Sequence, residues 1–355
     1  MSMQTFSLSQ GRINKFKGQI LKHAVPQECL SRAGRQVSFP ENNSDTYVAR
    51  RWLPYGATAS APNTFFGTTT LVDRGNQIVQ AHQTAEGITP TPDSITPQDV
   101  TVVMKQYSCL YGWTDKTAGL YEDDIPAAMK EQIGERVTLV NEMIVFGELK
   151  AGTNQFYGGT GSSRATVNGG ITLPMVRKMA KSLMANHGKM VTSVLKASAL
   201  YGTDAVAGGY LVYVSTDLEP DVRDLPNFIP AEKYASGTPM ANELGKCERF
   251  RFITTPEFVP ILDGATSVTA STYGLQSNGL TNPDVYQFIV TADNSFSQIA
   301  VRGLSNLSPT FLPTGQKSKS DPHGQRGYAG TTWWKAVMRE NEGWLAIGNV
   351  GAKAL

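Results

Sequence analysis

The side chains able to do chemistry are few and scattered. Cys29, Cys109 and Cys247 are the three cysteines, widely spaced and in no CxxC pair, so neither a zinc site nor a disulfide framework is expected and a reducing birthplace is the better match. The four histidines, His23, His82, His187 and His323, have no second histidine or cysteine within four residues, and the HExxH and GxSxG patterns are absent. The glycine-rich run 155–164 lacks the Gly-Lys-Ser/Thr end of a phosphate loop and the third glycine of a dinucleotide loop, and is expected to be a flexible surface loop. Asp217, Glu219, Asp221 and Asp224 crowd one stretch, but Arg223 sits among them and the spacing is not that of a calcium loop. Capping and inter-subunit salt bridges are the expectation there. Asp73, Arg74, His82 and Glu86 are read as contact residues. No catalytic residue, cofactor or metal ligand is assigned, and the chain is expected not to be an enzyme. A Cys/His pair brought together only by folding keeps open the alternative of a soluble hydrolase or nucleotide-using enzyme with a dispersed site.

With no local site to position, the elements themselves carry the argument. The longest is a helix predicted over 122–152. Ile125, Met129, Ile133, Val137, Val140 and Ile144 recur at three- and four-residue spacing and form one apolar stripe. Lys130, Glu131, Glu135, Arg136 and Glu142 fall mostly elsewhere on the wheel. Glu122, Asp123 and Asp124 suit the positive end of the helix, Pro126 is tolerated in its first turn, and Gly152 is expected to stop it in a left-handed conformation. On its own such a stripe fits a long core helix of an enzyme as well as an exposed structural spine. A second helix is predicted over 172–186, apolar on Leu173, Val176, Met179, Ala180 and Leu183, and ended by Gly188.

Strand-length β-branched and aromatic runs lie at 46–53, 100–107, 210–215, 250–254, 286–290, 297–302 and 344–347. Forty-six residues rich in Gly and Pro separate the first two, which read as a long two-stranded arm with an elaborated tip. A two-stranded ribbon is barely stable alone, so it must lie on something, and another copy of the chain is the expected support. The polar run 317–327 is expected to be mobile.

Composition agrees with a protein that buries its surface against copies of itself. Only 17% of residues are charged, where roughly a quarter is usual, while apolar residues make up 40%. The net charge of +2 does not by itself point to nucleic acid or membrane. Residues 1–36 are the exception: Arg12, Lys15, Lys17, Lys22, Arg32 and Arg35 stand against Glu28 alone. This segment reads as an arm that faces acidic surface or nucleic acid, or equally as a solvated basic tail. The N-terminal stretch has no signal-like apolar core and no apolar run approaches about 18 residues, so an unsecreted chain with no membrane partner is expected.

Two blocks, 213–235 (YVSTDLEPDVRDLPNFIPAEKYA) and 243–256 (ELGKCERFRFITTP), together with the order of elements, resemble the tailed-bacteriophage major capsid proteins, specifically the phage N-4-like capsid family with its HK-97-type fold. The resemblance implies an α+β, HK-97-like capsid fold: an N-terminal arm (1–45), an extended β-hairpin loop (46–114), a peripheral domain (115–200 and 331–355) built on a spine helix at about 124–151, and an axial domain (201–330) in which 262–283 is an embellishment. It implies a major capsid protein that assembles with itself as hexamers and pentamers into the icosahedral shell of a virion, formed in the host cytoplasm around double-stranded DNA held by non-specific contacts. The other partners it leaves room for are a portal, a cement protein and either a separate scaffolding protein or none. With the extended loop laid over a neighbour's spine, Arg50, Arg51, Trp52, Tyr107 and Trp113 become candidate inter-subunit contacts to Glu131, Glu135 and Glu142, and Arg12, Lys15, Lys17 and Lys22 become candidate DNA or arm contacts.

Overall fold

In a computed structural model, which describes residues 24–41, 44–63, 79–80, 82–90, 92–120, 124–191, 208–234, 239–279, 281–301 and 308–354, the chain is built on two sheets joined by one helix. Its elements in order are β1 (Arg35–Phe39), β2 (Thr46–Trp52), β3 (Pro97–Val103), β4 (Lys105–Thr114), α1 (Asp115–Leu120), α2 (Ile125–Leu149), β5 (Gln155–Tyr157), α3 (Leu173–Ala185) and β6 (Tyr210–Ser215). There follow α4 (Glu219–Arg223), β7 (Phe228–Pro230), β8 (Glu243–Cys247), β9 (Phe250–Thr255), α5 (Ala270–Tyr273), β10 (Tyr286–Thr291), β11 (Phe296–Val301), β12 (Ser308–Leu312), β13 (Arg326–Arg339) and β14 (Leu345–Val350).

The spine α2 is 25 residues long, roughly 37 Å at about 1.5 Å per residue. The Asp124 side chain accepts the Ala127 N–H at 3.1 Å, satisfying a free amide of the first turn, and Pro126 sits where no amide is needed. Glu122 and Asp123 lie outside the described residues. The C-terminal end differs from expectation: the cap is Lys150 in a right-handed conformation, and Gly152 does not turn left-handed. Gly152 is required by a close approach instead, because a Cβ there would stand 2.6 Å from Ile347 Cδ1 and 2.9 Å from Leu345 Cδ2.

The buried face of α2 changes direction along its length. Met129, Ile133 and Val137 pack on Cys109, Trp113, Ala329 and Trp333. About two turns later the buried set becomes Val145, Phe146 and Leu149, which pack on Leu211, Tyr213, Ile289 and Ile347. Val140 and Ile144, placed in the predicted stripe, are only half-buried, since a helix of 3.6 residues per turn drifts relative to a straight row. The helix thereby bolts two sheets together.

The first is a seven-stranded mixed sheet in the order β5-β14-β10-β6-β9-β8-β7. Its strands β6, β9 and β14 are buried on both faces, β6 with a nearly continuous apolar run and β9 and β14 with buried polar residues among their apolar ones. Val212 and Val214 meet α3 through Met175, Met179 and Leu183, while Leu211 and Tyr213 meet α2. The helix α3 ends in a paired turn, Gly188 N–H to Leu183 O (2.9 Å) and His187 N–H to Met184 O (3.0 Å), with His187 at φ 56°. His187, rather than the expected Gly188, takes the left-handed position.

In the second sheet the 14-residue β13 is central, paired with β4, β11 and β12, and β1 lies parallel to β11. The predicted run 100–107 divides here. β3 pairs with β2, and after a break at Met104 the chain continues as β4 against β13. β4, assigned with residues 46–114 to the extended loop, is therefore a strand of this sheet, and β11 and β12, expected in the axial part, pair with the same β13.

The ribbon β2–β3 also differs from expectation in its support. Tyr47, Ala49, Val100 and Val102 rest on Phe39, Met104, Ile299, Val301, Ala336 and Met338 of the same chain. Its base is covered by its own sheet.

Candidate assembly surface

Chemistry is not what the polar side chains are arranged for. Burial pushes the thiols of Cys29, Cys109 and Cys247 up, away from the thiolate that a nucleophile needs. Among the described residues no three His, Cys, Asp or Glu side chains converge as metal ligands. The ring of His82 lies 5.3 Å from that of Tyr55. The glycine-rich run is stitched to its neighbours rather than free: Asn168 accepts the Thr160 N–H at 2.9 Å, and the Thr166 hydroxyl accepts the N–H groups of Ser162 and Ser163, each at 3.1 Å. The amides of Thr160, Ser162 and Ser163 are thus engaged within the run and with Asn168.

Part of the acidic stretch 217–224 is engaged within its own chain. Asp221, buried, accepts the Lys353 N–H at 3.1 Å; the Lys353 ammonium reaches Asp224 at 3.1 Å, and Arg223 pairs with Glu219 at 2.9 Å. Residues 262–283 fold over a buried carboxylate, Asp284, which accepts the Asp263 and Asn278 N–H groups at 2.9 and 2.8 Å.

The outer face of the ribbon carries apolar side chains that its own strands leave exposed. Strand alternation sends Tyr47, Ala49 and Arg51 inward and Val48, Arg50 and Trp52 outward. Val48 and Val103 stand half exposed and Trp52 is 59% exposed, so three large apolar side chains line one neutral face. Arg50 and Asp99 neutralise each other there in a two-pronged pair, 2.7 and 2.8 Å, which raises the guanidinium's affinity for its proton and holds the Asp99 carboxyl below the usual carboxylate range.

The remaining candidate contacts divide sharply. Arg51 turns inward, donating to Gln98 and to the Glu340 carbonyl at 3.0 Å, and its burial lowers its proton affinity. Tyr107 is half-buried and stacks on Trp333 at 5.9 Å. Trp113, 1% exposed, lies in the core between the spine and Phe311 and has no surface to offer a neighbour. Glu131 is exposed on the spine and Glu135 half-buried. Glu142 is fully buried and serves its own chain: its two carboxylate oxygens accept the Leu30 and Ser31 N–H groups, each at 2.8 Å. The DNA or arm candidates Arg12, Lys15, Lys17 and Lys22, together with His23, Asp73 and Arg74, lie outside the described residues.

Glu142 introduces a feature that sequence reasoning missed. Residues 27–34 form a strap across the junction of spine and sheets. Leu30 is buried in the core beside Val145 and Phe146, and Gln298 donates to the carbonyls of Ser31 (2.8 Å) and Ala33 (2.6 Å). The available signal was the register of Glu142, three residues before Val145 and seven before Leu149 on the face that becomes buried. A second anchor fixes the chain where it leaves β2: Asn63 and Asn341 exchange reciprocal amide hydrogen bonds of 2.8 and 2.6 Å.

No protein-family model matches the sequence, and no curated protein sequence does. Solved structures match in fold. The capsid of Ralstonia phage GP4 superposes with a TM-score of 0.57 at 10% identity, over 99% of this chain and 99% of that one. The mature capsid of bacteriophage PhiM1 gives 0.56 at 10% identity over 96% and 92%, and the capsid of cyanophage Pam1 gives 0.54 at 12% identity over 99% and 100%. The fold is therefore the α+β HK-97-like capsid fold, present from end to end.

Proposed function

We propose that the chain is the major capsid protein of a tailed double-stranded DNA phage, assembling with itself as hexamers and pentamers into an icosahedral head. The observation that carries this reading is the whole-length likeness to capsid subunits, 99% of each chain for the phage GP4 capsid. The uncovered apolar face around Trp52 supports it, because a monomer has no use for a tryptophan held in water on a rigid ribbon. In this reading residues 1–45 are the arm, the ribbon and its tip within 46–103 are the extended loop, α2 is the spine of the peripheral part, and strands β6–β10 build the axial part. Contacts of a few kcal/mol each become stable when every subunit repeats them in a closed symmetric shell. The blocks 213–235 and 243–256 favour the N-4-like subfamily. The basic arm with Arg12, Lys15, Lys17 and Lys22 faces packaged DNA or a neighbour, and portal, cement and scaffolding proteins complete the head, which is built in the host cytoplasm.

Electron microscopy of the expressed chain, alone and with the genes adjacent to its own, is the test. Shells, tubes or capsomers are expected. A monodisperse species near the 38.4 kDa chain mass under all these conditions refutes the proposal.

A further inference from the structure

Charge is unevenly placed along this chain. Between residues 149 and 191 lie Lys150, Arg164, Arg177, Lys178, Lys181 and Lys189, with neither Asp nor Glu, although the whole chain is nearly neutral. Helix α3 gathers three of them. Its inner face is Met175, Val176, Met179 and Leu183, and its outer face exposes Arg177, Lys178 and Lys181. The turn between β8 and β9 adds Arg249, whose guanidinium lies against the Met184 thioether. The acid lining this shallow depression is Glu248, which Arg177 engages at 2.9 and 2.6 Å. Further along, Asp293 lies beside Lys189, donating its N–H to the Lys189 carbonyl at 2.9 Å. Among the described residues no acid pairs with Lys178 or Lys181.

Helix stability does not explain these positions. The last turn of α3 contains no basic residue, so none of the three complements the dipole. The chemistry of the face also discriminates between partners. Protein interfaces are depleted in lysine and anchored by aromatic side chains, whereas this face presents two unpaired lysines, no aromatic ring and Met184 as its exposed large apolar group. A partner satisfied by charge alone, dense and without shape, is the phosphate backbone of a nucleic acid, which carries one charge per about 1.7 Å of duplex.

We propose that the outer face of α3, through Lys178, Lys181 and Arg249, contacts the phosphates of double-stranded DNA without sequence preference. The setting, a shell lined against its genome, rests on the function proposed above; the phosphate affinity does not. Binding of the full chain to a labelled random-sequence duplex of about 30 base pairs, followed across a salt series, tests it. Each neutralised phosphate contact contributes about 0.9 to the slope of log affinity against log salt, so K178Q/K181Q is expected to flatten the slope by about 2 while K178R/K181R keeps it. Absence of salt-dependent binding by the unsubstituted chain, an unchanged slope in K178Q/K181Q, or an equal flattening by K317Q/K319Q on a distant exposed loop overturns the proposal. So does a K178Q/K181Q chain that binds DNA normally but no longer assembles, since the occupant is then a second copy. Thermal melts confirm that each variant is folded. Microscopy of the same samples scores assembly separately, so failure to form shells alongside the expected slope change counts against the capsid reading alone.

Discussion

Replacing Glu142 by alanine tests whether the strap is a keystone or an ornament. The substitution orphans the Leu30 and Ser31 N–H groups, both held at 2.8 Å. A buried donor left without a partner costs roughly 1–3 kcal/mol, so the gross loss is about 2–6 kcal/mol. Against that, removing a fully buried carboxylate recovers part of its own desolvation cost, which draws the net toward about 2–3 kcal/mol. At about 2 °C per kcal/mol for a chain of this length, the melting temperature falls by roughly 4–6 °C. E142Q keeps one acceptor oxygen and loses about half as much. Calorimetry measures the loss, and hydrogen exchange locates it: the Leu30 and Ser31 amides exchange much faster in E142A, while the β6 and β9 amides keep their protection. An E142A protein within about 0.5 kcal/mol of the parent, with unchanged exchange at Leu30 and Ser31, refutes the reasoning.

Trp52→Ser removes a ring that is 59% exposed, so subunit stability is expected to change by less than about 0.5 kcal/mol while shell yield collapses; a matched drop in both, read by melting and microscopy, points to a folding role instead. Lys335 has its ammonium pushed down to about 8 by burial, with Glu142 and Glu28 opposing the shift. Between pH 8 and its unfolded value near 10.5 the unfolded chain binds the extra proton, so this group makes stability rise with pH across that window; the rise is expected to be absent in K335M, and identical pH profiles for the two proteins contradict it. Arg251 and Glu243 form a buried two-pronged pair with bonds of 2.7 Å, joined by the Tyr234 hydroxyl at 2.7 Å. R251A is expected to cost about 3–5 kcal/mol because it strands the carboxylate, whereas the double replacement R251M/E243L costs far less; equal losses by denaturant titration exclude that account.

The elements were legible where one period held. Tyr210–Ser215, Phe250–Thr255 and Tyr286–Thr291 are strands as their runs predict, and the spine starts where Asp124 and Pro126 place it. The fourteen residues of β13 escaped because Arg326–Arg339 mixes glycine, alanine and threonine with aromatics and shows neither clean alternation nor an apolar run; it is central because β4, β11 and β12 converge on it from far away in sequence. β1 and β12 escaped for the same reason, their strand state being conferred by the partners β11 and β13 rather than by their own residues.

The candidate contacts show what periodicity can and cannot decide. Alternation along β2 correctly separates Arg50 and Trp52 from Arg51, since neighbours on a strand must face opposite ways. It says nothing about which face the chain covers itself. Trp113 and Trp52 are the same residue type on strands of the same region, yet one fills the core against the spine and the other is more than half exposed, because β4 packs against β13 and the spine while no described element of the chain buries the outer side of β2. Glu142 and Glu131 likewise share a helix, and only the arrival of the strap turns the first into an internal anchor while the second stays free to meet another molecule. A contact surface is thus defined by subtraction, as what remains after the chain has folded. By that criterion the face around Val48, Trp52 and Val103 is where a second subunit has most to gain.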